Sequence, residues 1–136
     1  MEPAPTDPHK EILDEATCRQ LLATQSVGRI AYVWDRESHI VPVNFVVTDD
    51  RVVFRSDPGH KVEHLPLHRV CFETDHVDED VAWSIVVYGL ARDVTTALNE
   101  EYERLRRQDV ATFATLTDPH WIAIDMERIE GRRLTH

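Results

Sequence analysis

Lysine is almost missing from this sequence: 136 residues hold two, Lys10 and Lys61. Lysine and arginine together number 15 against 25 aspartates and glutamates, for a net charge of -10. A general nucleic-acid binder needs a basic face, and a protein drawn to anionic membranes needs the same, so both classes are disfavoured. A small anionic ligand is not excluded, because a local pocket can be basic on an acidic protein. Cysteine is also scarce, with Cys18 and Cys71 far apart and outside any CxxC or metal-ligand spacing, which points to buried free thiols. No apolar run is long enough to span a membrane, and "MEPAPTDPH" lacks the apolar core of a signal peptide, so a soluble cytoplasmic protein is expected.

The length suits one domain with one core. Residues 1–12 open with prolines and little apolar content and read as a flexible tail, leaving 13–136 as the single domain. "LDEATCRQLLAT" predicts a helix capped by Asp14, with Cys18, Leu21 and Leu22 as its buried stripe. Strand patterns follow. "VGRIAYVWD" sets Ile30, Tyr32 and Trp34 on one face, and "SHIVPVNFVVTDD" sets Val41, Val43, Phe45 and Val47 on one face. Pro42 within that second run marks an edge strand or an interrupted ladder, and Asn44 among valines demands a polar partner. "DDRVVFRS" turns sharply into a hairpin partner; "RVCFETDHV" and "AWSIVVYGLARDV" add two strands, and "HWIAIDMERIEGRRL" reads as one last strand. A second helix is predicted over "TTALNEEYERLRRQ", with Thr96 as cap and Leu98, Tyr102 and Leu105 facing inward. About six closely spaced strands with few helices favour an antiparallel barrel or sandwich.

The stretch "VVFRSDPGHKVEHL" concentrates unusual chemistry, because a strand-like run ends in Arg55 and Ser56, then a turn carries Gly59, His60 and Lys61. The guanidinium fork matches phosphate oxygens, the hydroxyl adds a neutral donor, glycine admits close backbone approach, and the lysine adds a point charge. "KVEHL" can form one helical turn. Spacing alone is compatible with a phosphate cradle or with a polar hairpin end; GxxxxGK[ST] is absent. His60, His64 and His68 recur every four residues, but Pro66 interrupts the helix that would align them, so surface histidines are expected rather than a metal site. The acidic run from Glu73 to Asp80 reads as a solvated loop, and Ser84 lacks the GxSxG surroundings of a nucleophile.

The ordered set "VGRIAYV…HIVPVNFVV…RVVFRSDPGHKVEHL…VCFETD…WSIVVYGLARDV…WIAI…GRR" resembles the pyridoxamine 5'-phosphate oxidase-like, FMN-binding split-barrel proteins, and among them the short bacterial, nitroimidazole-resistance-like branch. The resemblance implies a mainly β protein, a six-stranded antiparallel split β-barrel, assembled as a homodimer with FMN at the interface. It implies that Val43, Asn44 and Phe45 lie beside the isoalloxazine ring, that Arg55, Ser56, Gly59, His60 and Lys61 surround the phosphate, and that Trp83 and Ser84 approach across the interface. An oxidoreductase acting on a small-molecule substrate, with reduced nicotinamide as a candidate donor, is the function it implies. A deazaflavin coenzyme or haem in the same barrel, and a non-catalytic or cofactor-less barrel, are the alternatives.

Overall fold

The computed structural model describes residues 7–112 and 115–135, with the side chain of His60 outside the described set. Two tight turns organise the first half. β2 (Val27–Trp34) and β3 (Glu37–Asn44) are joined through Asp35 and Arg36, and β4 (Val46–Thr48) and β5 (Arg51–Ser56) through Asp49 and Asp50. All four turn residues have positive φ, between 50° and 62°, the mirror-image turn whose twist suits an antiparallel hairpin. Before them come β1 (Lys10–Ile12) and α1 (Glu15–Leu22); after them α2 (His60–His64), β6 (Arg69–Val77), β7 (Val81–Asp93), α3 (Glu100–Leu105), β8 (His120–Asp125) and β9 (Arg128–Thr135).

All pairings are antiparallel, in the order β3-β2-β6-β7-β8-β5-β4, with β9 along β7 and β1 along β9. The first six strands of that path are the barrel frame, and β4 is a three-residue extension. The ladder does not close on itself. Instead the chain crosses between its two ends at Phe45: β3 pairs with β2, the next strand β4 pairs with β5, and the Phe45 N–H donates to Ser26 O at 3.0 Å in between. β7 makes the second crossing, since its first eight residues pair with β9 and its last three with β8. Pro42 sits on β3, which pairs only on the β2 side, so its missing N–H costs no ladder bond.

The core lies between the two parts of the barrel. Ile30, Phe54, Phe72, Ile85, Val87, Ile122 and Ile124 are fully buried there, as inward residues of alternating strands. α1 closes one end with Cys18 and Leu22, its N-terminus capped by Asp14 accepting from Thr17 N at 2.8 Å. A smaller cluster of Val53, Val94, Leu105 and Ala123 packs under α3.

Four sequence readings change. Within the expected tail, residues 10–12 pair with the free edge of β9, while residues 1–6 lie outside the described residues. The last strand is two strands, because Glu127 N turns in to donate to Tyr88 O at 3.1 Å and β9 then runs back along β7. α3 starts later than expected, with Asn99 rather than Thr96 as cap (Tyr102 N to Asn99 Oδ1, 2.8 Å), and Leu98 is exposed. Arg51 draws the helix in by pairing with Glu101 while its Nε holds Asp125 at 2.9 Å, and Arg104 pairs with Asp49 at 3.0 Å.

At the second crossing, a Cβ on Gly89 would stand 1.6 Å from the Asp125 carbonyl oxygen. Gly89→Ala is therefore expected to cost about 3 kcal/mol or more, the upper end for overpacking, because backbone rather than a flexible side chain must yield. Gly59→Ala, where an added Cβ meets nothing within 4 Å, is the control expected to stay within about 0.5 kcal/mol. Urea denaturation of the two variants checks the contrast, and equal midpoints would contradict it.

Candidate functional site

β3 and β5 arrive at the same end of the barrel because β4, the continuation of β3, is the hairpin partner of β5. A pocket of about 310 Å³ opens there, lined by Val43 and Asn44 from β3, by Arg55, Ser56 and Asp57 from the end of β5, and by Lys61 from α2. Five residues singled out in the sequence thus share one cavity. Asn44 donates to Ser26 O at 3.4 Å, the polar partner its position required. Ser56 is buried, and its hydroxyl donates to Asp57 O at 3.1 Å.

The cations are the unusual part. Eight arginines of the described residues sit in ion pairs, yet Arg55 and Lys61 have no carboxylate partner among the described residues. Arg55 Nε is buried without a hydrogen-bond acceptor, and the guanidinium lies over the Trp121 ring at 5.2 Å, which fixes its plane. Burial pushes the Lys61 ammonium below its usual range, and no anion offsets that effect. Asp57, the carboxylate that lines the same pocket, is engaged elsewhere. It accepts from Thr117 N at 3.0 Å and Asp118 N at 2.8 Å, and these donors hold its pKa down. Gly59 is extended with open space beside it. A buried donor without an acceptor, an uncompensated lysine and an open glycine are what a phosphate or similar anion needs. The residues present fit such a group.

Other sequence candidates fall elsewhere. The Phe45 side chain points into the core, its ring 4.6 Å from that of Phe72, so only its backbone is near the pocket. The backbone of His60 begins α2, and its side chain lies outside the described residues. Trp83 is buried on the inward face of β7, whereas Ser84 faces out; both line a separate groove of about 150 Å³ with Asp75 and Arg132. No group of metal-ligating side chains is found among the described residues, and His64 stacks on Trp34 at 3.9 Å.

Nothing in the sequence pointed to Thr112 and Leu116, which complete the pocket lining, or to Asp57 as the anchor of the Thr117 turn beside them. Residues 106–119 show no periodicity that could have announced them. Trp121, whose ring lies under Arg55, stands directly across from it in the β5–β8 register.

Known proteins share this fold. The sequence matches the pyridoxamine 5'-phosphate oxidase family over residues 14–133. The FAD binding protein from Mycobacterium smegmatis is 34% identical, with a TM-score of 0.79 over 92% of this chain and 98% of that one. A candidate pyridoxamine 5'-phosphate oxidase from Corynebacterium glutamicum is 27% identical, with a TM-score of 0.82 over 93% and 99%. A candidate 5-nitroimidazole antibiotic resistance protein from Bacteroides thetaiotaomicron shares the fold, with a TM-score of 0.69 at 13% identity over 91% and 88%. With the match spanning nearly the whole barrel, the chain belongs to the pyridoxamine 5'-phosphate oxidase family.

Proposed function

We propose that this chain is a homodimeric flavoprotein that binds FMN and acts as an oxidoreductase on a small-molecule substrate, with reduced nicotinamide as electron donor. The observation that carries the reading is the pair of uncompensated cations, Arg55 and Lys61, in a pocket that the end of β3 also lines. A phosphate monoester carries up to two negative charges, which this pair neutralises. Bound flavin would supply the electron or hydride transfer, and the protein would supply binding and orientation. In this reading Arg55 and Lys61 hold the phosphate, Ser56 donates to it, and the strand from Val43 to Phe45 presents its backbone to the ring. Trp83 and Ser84, which line a different groove within one chain, belong to the flavin site of the partner subunit. Free Cys18 and Cys71 suit a reducing, cytoplasmic setting.

FAD is the second reading, favoured because the 34%-identical protein from Mycobacterium smegmatis is described as FAD-binding. Titration with FMN, FAD and riboflavin separates the two. The FMN reading expects retention of FMN after desalting, with riboflavin bound more weakly. Tighter retention of FAD transfers the assignment to the dinucleotide. A protein that keeps its flavin colour and never oxidises reduced nicotinamide would be a binding module rather than this enzyme.

The double variant Arg55→Ala/Lys61→Ala removes two charge-assisted bonds worth about 1.5–3 kcal/mol each, so FMN affinity should fall by about two to four orders of magnitude. Riboflavin affinity, which uses no phosphate, should stay unchanged. Unaltered FMN binding in a folded double variant would contradict the assignment.

A pH dependence follows from Lys61, whose pKa is lowered by burial in the free protein. A bound phosphate favours the ammonium and raises that pKa, so binding takes up a proton wherever the pH lies between the free and bound values. Affinity therefore falls as the pH rises through the lowered value of the free protein. Isothermal calorimetry of FMN in buffers of different ionisation enthalpy measures this uptake on the alkaline side, and Lys61→Ala should abolish it.

A further inference from the structure

α2 carries one of the two cations of the candidate site, and it is a weak element on its own. It has five residues, too few to hold a helix in water unaided, and its cap Gly59 offers no side-chain bond. Yet it presents Lys61 to the pocket, where burial disfavours the ammonium. At about 100° per residue, Lys61 falls between two flanks of the helix. Val62 and Leu65 form one flank, and both are buried. His64 forms the other. Beyond α2 the chain is tied to β7, with Leu67 N donating to Ala91 O at 2.8 Å and Ala91 N donating to His68 O at 3.0 Å. Anchors on one flank and past one end still leave a short helix free to roll about its axis, and a roll takes Lys61 out of the pocket.

The His64 flank is closed by a residue from the β2–β3 hairpin. Trp34 ends the row of β2 that begins with Ile30 and Tyr32, but it reaches past the core and is 39% exposed. Its backbone is fixed by pairing with Glu37 beside the Asp35–Arg36 turn. Its indole meets the His64 imidazole face to face, with ring centroids 3.9 Å and planes 19° apart. His68 meets the same indole edge-on at 6.1 Å. The two histidines, on either side of Pro66, thus converge on one ring. The Glu63 carboxylate is exposed and stands 4.0 Å from His64 Nε2, a pairing that adds little in water.

We infer that Trp34 and His64 are positioning residues for the phosphate site: their stack fixes the roll of α2 and keeps Lys61 turned into the pocket. Neither residue lines the pocket, so the effect runs through Lys61. The inference rests on the phosphate reading above and adds to it two residues that act on the site from outside it.

Flavin fluorescence titration with FMN and with riboflavin tests it. Trp34→Ala and His64→Ala should each weaken FMN about two- to tenfold, the worth of an aromatic pair, and leave riboflavin affinity unchanged. Alanine favours a helix more than histidine does, so a loss in His64→Ala does not come from unwinding α2. His64→Phe keeps a stacking ring and drops the contact with Glu63, and it should bind FMN like the wild type. In a Lys61→Ala background, adding Trp34→Ala should cost nothing further, because no ammonium is left to position. Circular dichroism establishes that each variant is folded. Equal losses for FMN and riboflavin, a His64→Phe as weak as His64→Ala, or a Trp34→Ala loss that persists in full without Lys61 would overturn the inference and leave Lys61 at the phosphate. A Lys61→Ala protein that binds FMN as tightly as the wild type would overturn the phosphate reading and the inference together.

Discussion

The barrel depends on a missing side chain. At Gly89 the backbone of β7 meets that of Asp125 so closely that a Cβ has no place. That contact lets β7 leave β9 and continue along β8, which puts β8 beside β5. Without the crossing, β5 would have no partner on that side, and the end of β5 is where Arg55 and Ser56 are delivered. The other crossing, at Phe45, falls between the β2–β3 and β4–β5 ladders and is secured by one bond from Phe45 N to Ser26 O. It brings Asn44 to the same pocket mouth as Arg55. The fold and the site thus share their constraints: the two places where strands change sheets decide which side chains meet.

The site itself is built at the expense of stability. A buried guanidinium nitrogen without an acceptor costs about 1–3 kcal/mol, and a desolvated ammonium adds to this. Elsewhere the chain does the reverse. Arg51, Arg92, Asp125 and Glu101 form a matched cluster at α3, and Asp57 is engaged by backbone donors. Leaving two cations unanswered in a chain with a surplus of carboxylates is informative for that reason. Local rules are broken where a ligand is expected to complete them.

Much of this was legible in the sequence, through periodicity and capping. β6 coincides with the predicted run, the Asp14 cap forms, and the alternation in β2 and β3 divides buried from outward residues. Val43, Asn44, Arg55, Ser56 and Lys61 were named from residue chemistry and the family resemblance, and the fold gathers them. What was not legible is non-local. The break between β8 and β9 carries no glycine or proline, because it is made by Tyr88 and Asp50 accepting from residues 126 and 127. α3 starts at the Asn99 cap and is held to the barrel by Arg51 pairing with Glu101, a contact between residues far apart in the chain. The far wall of the pocket comes from a stretch with no repeat at all, and Trp83 and Ser84 line a groove of their own with Asp75 and Arg132.

The central claim is that Arg55 and Lys61 are left unpaired for a phosphate. A crystal structure of the protein saturated with FMN tests this most directly. The account predicts the phosphate within hydrogen-bond distance of Arg55 Nε and Lys61 Nζ, with the ring along β3. A phosphate seated away from both cations, with Arg55 Nε still unpartnered, would contradict it.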